Sequence, residues 1–143
     1  MDDCVRLEID SGIATITLAR PEVGNAFELV MAQRLHQVVQ SCADDPAVRC
    51  VVLTGAGRMF CVGGDVAAMQ AAGEGRVEFL DALISGFHEA LLALMQLEKP
   101  LVTLINGPAA GAGVSLAVVG DVVLAARSAS FLAAYAVRNL RKN

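Results

Sequence analysis

The chain has no tryptophan, one tyrosine and five phenylalanines in 143 residues, and only 18% of its side chains are charged. The formal charge is −4. Nucleic-acid binders need a basic face for phosphates and usually aromatic platforms for bases, so that class is excluded. A polybasic protein of anionic membrane surfaces is excluded on the same ground. There are two histidines, His36 and His88, and four cysteines, Cys4, Cys42, Cys50 and Cys61, none in a CxxC spacing. That set gives no support to a zinc site, and no metal is expected. Uninterrupted apolar runs are also missing. The greasiest stretch, Ala109 to Ala126, is broken by Asp121 and diluted by Gly111, Gly113 and Gly120. A spanning helix needs about 20 mainly apolar residues, so no membrane segment is expected. Met1-Asp2-Asp3-Cys4 is acidic with no apolar core behind it, which fits neither a signal peptide nor an Arg-rich transit peptide.

What is present is apolar: 55% of the residues are hydrophobic, and the mean hydropathy is +0.56. Such a chain is not disordered, and its length suits one domain with a real core. Doubly covered parallel strands and buried helices account for the composition. Cysteines set in apolar runs, such as Cys50-Val51-Val52-Leu53, read as small buried hydrophobes of a reducing compartment, and a cytoplasmic location is expected.

Residues 4–10 and 13–18 alternate apolar and polar around Ser11-Gly12, which predicts a hairpin. A loop over 20–25 precedes a helix over about 27–43, with Leu29, Leu35, Val38, Val39 and Cys42 near one face. Residues 48–54 read as a buried strand, 55–65 as a glycine-rich loop and 66–72 as a short helix. Leu80, Leu83, Ile84, Phe87, Leu91, Leu94 and Met95 then recur at three- and four-residue steps, predicting a helix over 77–97. A strand at 101–105, a second glycine-rich loop at 106–113, a helix at 114–120 and a strand at 121–126 complete the series. Strands alternating with helices make the class α/β.

Each glycine-rich loop follows a β-branched strand and opens into a helix. Glycine lets backbone approach a ligand closely, and the first N–H groups of a helix have no internal acceptor. Two such loops facing each other can offer two N–H donors to one developing oxyanion. They can equally serve only to turn the chain. Neither is a phosphate-binding loop, since no Gly-Lys-Ser/Thr follows, and Asn106-Gly107-Pro108 is the wrong entry for a dinucleotide fingerprint.

Three blocks narrow the reading. They are Leu18-Ala19-Arg20-Pro21-Glu22 with Asn25-Ala26-Phe27, then Val51 through Gly55-Ala56-Gly57 to Phe60-Cys61-Val62-Gly63-Gly64-Asp65, then Lys99-Pro100-Leu101-Val102 through Ile105-Asn106-Gly107 to Gly111-Ala112-Gly113. In this order and spacing the chain resembles the enoyl-CoA hydratase/isomerase (crotonase) superfamily over residues 5 to about 136. The resemblance implies a crotonase-type ββα spiral, here its N-terminal part only, acting on acyl-CoA thioesters without a cofactor. It implies that the N–H groups of Gly64 and Ala112 form an oxyanion hole for the thioester enolate. It also implies that the 21–27 loop (Val23, Asn25, Ala26) and Val62, Gly63, Asp65, Gly111 and Ser115 flank the substrate.

The sequence departs from the family at two points. Hydratases carry a glutamate three residues after the second donor, where Ser115 stands here, and a lone serine has no acidity near neutral pH. Ser115 reads as a packing or hydroxyl-bonding residue rather than a catalyst. Isomerase relatives work with one carboxylate expected just beyond Tyr135, but Val137-Arg138-Asn139-Leu140-Arg141-Lys142-Asn143 offers none. The chain therefore divides into an incomplete acyl-CoA-binding core, 1–136, and a non-matching basic tail, 137–143. The expectation is an isomerase-type protein shortened relative to its family, with catalysis weak or absent. A hydratase-like enzyme and a non-catalytic CoA-binding or interaction fragment stand as the alternatives. Full-length relatives form trimers, which implies a homo-oligomer. Asp65 reads as a loop-holding residue, Asp121 as structural, and His88 as a packing histidine or one flanking the acyl pocket. Met59, Met69 and Met95 are expected on apolar surface, and Glu74, Arg76 and Glu78 on a solvated face.

Overall fold

The computed structural model describes residues 3–133. The hairpin forms as β1 (Val5–Asp10) and β2 (Ile13–Leu18), paired antiparallel with Val5 opposite Leu18. Helix α1 (Leu29–Asp44) returns the chain to β3 (Cys50–Gly55), which pairs parallel with β2. Helices α2 (Val66–Ala71) and α3 (Arg76–Met95) lead to β4 (Leu101–Ile105), parallel to β3. A two-residue strand β5 (Ala109–Ala110) and helix α4 (Ala112–Ala117) precede β6 (Val122–Ala125), parallel to β4. Last comes β7 (Phe131–Leu132), beside β5. The main sheet runs β1-β2-β3-β4-β6.

A second, thinner ladder runs beside this sheet. Phe27 bridges Gly64, Cys61 bridges Ala109, and β5 pairs with β7, all in parallel. Each of the first three turns of the chain therefore supplies one main-sheet strand, one short segment of the second ladder and then a helix, and β6 and β7 begin a fourth. That repeat is the spiral the resemblance implied. The predicted loops over 55–65 and 106–113 thus contain ladder segments. Pairings of one or two residues show no period-2 pattern, and glycine carries no strand propensity, so nothing local marked them.

The bounds of β2 and β4 match the sequence expectation, and those of the other predicted elements shift by at most three residues. Phe27 is the largest change: it bridges Gly64 rather than entering α1. The helix expected over 114–120 starts earlier, at Ala112, and ends at Ala117.

Alternation decides the core. Ala14, Ile16 and Leu18 of β2 and Val51 and Leu53 of β3 are fully buried beneath α1, whose Met31, Ala32, Leu35, Val38, Val39 and Cys42 face them. Helix α3 packs on α1 where Gly86 sits: a Cβ there would meet Leu29 Cδ1 at 3.1 Å. Lys99 ties the far end by donating from Nζ to the carbonyls of Cys42 and Asp45, both at 2.6 Å. The expectation of strands covered on both faces does not hold. Cys50, Val52 and Thr54 are only half-buried, and every residue of edge strand β6 is exposed. Among the described residues no helix is long and apolar enough to cross a membrane. Tyr135 and the basic tail over 137–143 lie outside the described residues.

Candidate active site

A cavity of about 530 Å³ opens where the second ladder meets α2, α3 and α4. Its size is that of a small-molecule site. Val62, Gly63, Gly64, Gly111, Ala112 and Ser115 line it, together with Phe27, Val66 and Met69. Helix α3 contributes a single stripe: Leu80, Leu83, Ile84, Phe87, His88 and Leu91.

Two close approaches build the floor. Gly63 has φ +98°, and a Cβ there would meet the Ala110 carbonyl at 3.1 Å and the Ala112 nitrogen at 3.3 Å. A Cβ on Gly113 would collide with the Cys61 carbonyl. Only glycine lets the 61–64 segment lie against the start of α4. The two glycine-rich loops are brought together by the ladder, through the Cys61–Ala109 bridge and the bond from Ala110 N–H to the Cys61 carbonyl at 2.9 Å.

The ladder also turns one N–H out. Phe27 donates to the Gly63 carbonyl and Asp65 donates to the Phe27 carbonyl, both at 2.8 Å. Strand alternation then directs the Gly64 N–H away from Phe27. Ala112 is the first residue of α4, so its N–H has no intrahelical acceptor. Among the described residues neither N–H takes a backbone partner.

A polar clasp holds these segments from behind. The Arg20 guanidinium donates to the Ala26 carbonyl at 2.6 Å and to Asp65 Oδ2 at 3.1 Å. Asp65 Oδ1 accepts the Ala68 N–H at 3.0 Å, capping α2. Asn25 is fully buried at φ +58°. Its Oδ1 accepts the Arg20 N–H, and its amide reaches the carbonyls of Ala56, Met59 and Phe60. Asn106, from the second glycine-rich loop, holds the same stretch from its other side, accepting the Gly55 N–H and donating to the Gly57 and Met59 carbonyls. The Cys61 thiol donates to the Asn25 carbonyl at 3.3 Å, and burial pushes its pKa up to about 12. Burial raises Cys4 and Cys42 as well, so these three thiols are packing groups. All four cysteines are unbridged.

Six of the ten residues singled out in the sequence therefore line one cavity. The other four do not. Val23 is exposed in a 3-10 turn, Ala26 is buried, and the side chains of Asn25 and Asp65 are spent on loop backbone and Arg20. Asp65 holds the loop as expected, and Asp121 Oδ2 accepts the Leu101 N–H at 2.8 Å. Met69 faces the cavity, whereas Met59 and Met95 are exposed. His88 is no packing residue: it is exposed and lines the cavity. Arg20 and Asn106 went unassigned in the sequence. Their place inside the Arg20-Pro21 and Asn106-Gly107 motifs was the available signal.

The family model for enoyl-CoA hydratase/isomerase matches residues 8–137. The chain belongs to the enoyl-CoA hydratase/isomerase family. Among its relatives is the 1,2-epoxyphenylacetyl-CoA isomerase of Escherichia coli, 38% identical over 94% of this chain and 52% of that protein. The carnitinyl-CoA dehydratase of Proteus mirabilis is 35% identical over 92% of this chain and 49% of its own. The crystal structure of an enoyl-CoA hydratase from Mycobacterium smegmatis superposes with a TM-score of 0.87 at 30% identity, covering 96% of this chain and 53% of that one. The chain spans about half the length of the curated relatives it matches. Its architecture is the mixed α/β crotonase fold, over about half of those solved chains.

Proposed function

We propose that this chain binds an acyl-CoA thioester and stabilises its enolate through the N–H groups of Gly64 and Ala112, in support of an isomerase-type proton shift. The observation that carries the reading is the pair of unpartnered N–H groups on the rim of one apolar cavity. Each such donor, preorganised toward a developing oxyanion, contributes about 2.7–4 kcal/mol to the transition state. The apolar walls suit an acyl chain, and the 21–27 loop, abutting Val62 through Gly24, would flank the CoA. Water addition needs acid–base groups on both faces of the double bond, so a double-bond shift is the preferred chemistry over hydration. No carboxylate lines the cavity among the described residues, so turnover is expected to be slow.

A second reading, a non-catalytic CoA-binding or docking chain, draws on a different observation. Val122, Leu124, Phe131 and Leu132 all stand exposed on strands β6 and β7. Isothermal titration with a CoA thioester, with free CoA as control, tests the first reading. Micromolar binding that requires the thioester supports it. A folded chain that binds neither compound refutes it, and a chain that binds but turns nothing over belongs to the second reading.

A further inference from the structure

Helix α3 presents Leu80, Leu83, Ile84, Phe87 and Leu91 to the cavity, at steps of three and four residues. One position of that stripe breaks the pattern. His88 lies one turn beyond Ile84 and three residues before Leu91, where an amphipathic helix would continue apolar. It lines the cavity and remains accessible. Among the described lining residues it is the sole imidazole, and no other lining side chain is a carboxylate, an amine or a thiol. Ser115 is the other polar side chain on the wall. The stripe lies directly against the donor loop: Leu83 Cδ2 is 3.8 Å from the position a Gly64 Cβ would take. Phe87 meets Phe27, which bridges Gly64, edge-on at 5.3 Å between centroids.

We infer that His88 is the catalytic proton carrier of this cavity. The inference rests on the acyl-CoA reading above. With a 3-enoyl thioester, the neutral imidazole removes a proton from C2. The C2–H bond breaks, an N–H bond forms, and the electron pair moves onto the thioester oxygen held by Gly64 and Ala112. The imidazolium N–H exchanges with solvent at the open side of the cavity. The pair then returns to form C2=C3, and the imidazolium delivers a proton to C4 as the old C3=C4 bond opens. Nothing is oxidised or reduced, and the imidazole ends neutral.

The test uses trans-3-hexenoyl-CoA in deuterium oxide, with deuterium uptake at C2 and C4 read by mass spectrometry and affinity by titration calorimetry. His88→Gln should bind within about threefold of the unaltered chain, yet lose about 10²–10⁴-fold in exchange rate, the usual contribution of a general acid–base group. Free imidazole should restore exchange to His88→Ala, which a merely structural loss would not allow. Circular dichroism checks folding, and His88→Asn replaces His88→Gln if the latter is misfolded. Exchange in His88→Gln within threefold of the unaltered chain overturns the inference. So does an unaltered chain that binds without exchange, or a His88→Ala loss that imidazole leaves in place. Each of those leaves the binding reading intact, whereas failure of the unaltered chain to bind overturns both.

Discussion

Asp65 is the point at which the clasp behind the cavity can be broken with one atom-scale change. Its carboxylate has two tasks, capping α2 through the Ala68 N–H and holding the Arg20 guanidinium. Their side chains are 10% and 17% exposed, so the pair is only partly screened by water. Asp65→Ala removes the cap, which costs about 1 kcal/mol. It also strands the guanidinium with one bond left, to the Ala26 carbonyl. Breaking a fully buried pair costs about 3–5 kcal/mol, and this pair should fall at the lower end. The total expected is about 3–4 kcal/mol. With a urea slope of about 1–3 kcal/mol/M, the unfolding midpoint should fall by about 1–4 M. Asp65→Asn keeps a capping oxygen and should recover about 1 kcal/mol of that loss. A double-mutant cycle with Arg20→Met isolates the pair itself. An Asp65→Ala midpoint within a few tenths of a molar of the unaltered chain would refute the reasoning, as would Asp65→Asn and Asp65→Ala being equally damaging. Because the clasp sets where Gly64 lies, acyl-CoA affinity should fall in the same order as stability.

Three further outcomes follow from the same geometry. Gly113→Ala forces the first turn of α4 off the Cys61 carbonyl and should cost about 1–3 kcal/mol by thermal melting; it should also abolish thioester binding, and unchanged binding would show that the contact of the two loops is dispensable. The buried Thr103 hydroxyl donates to the Ala117 carbonyl at 2.7 Å, so Thr103→Val should cost about 1–3 kcal/mol in urea unfolding. The Cys61 thiol, with its folded pKa raised to about 12, contributes stability that is complete below pH 9 and is lost as pH climbs through 12. The loss should run at about 1.4 kcal/mol per pH unit in that window. Cys61→Ala should flatten that slope, and rapid alkylation of native Cys61 at pH 8 would contradict the burial.

Local patterning made much of the framework readable. Alternation in Val5–Asp10 and Ile13–Leu18 announced the hairpin because each strand has one face turned to the core. The 3- and 4-residue spacing from Leu80 to Met95 announced α3, since a helix buries one stripe. Gly63, Gly64, Gly111 and Ala112 could be proposed as neighbours because their motifs carry a family resemblance, and they do line one cavity. Side-chain periodicity, however, records only which face is buried, not which distant backbones touch. That Phe27 leaves α1 to bridge Gly64, that Cys61 meets Ala109, and that Asn25 reaches three carbonyls more than thirty residues away are long-range facts without a local period. His88 shows the same limit within one helix. The sequence placed it on α3, but only the packing of α2, α3 and α4 around a void decided that its side of the helix faces a cavity rather than a core.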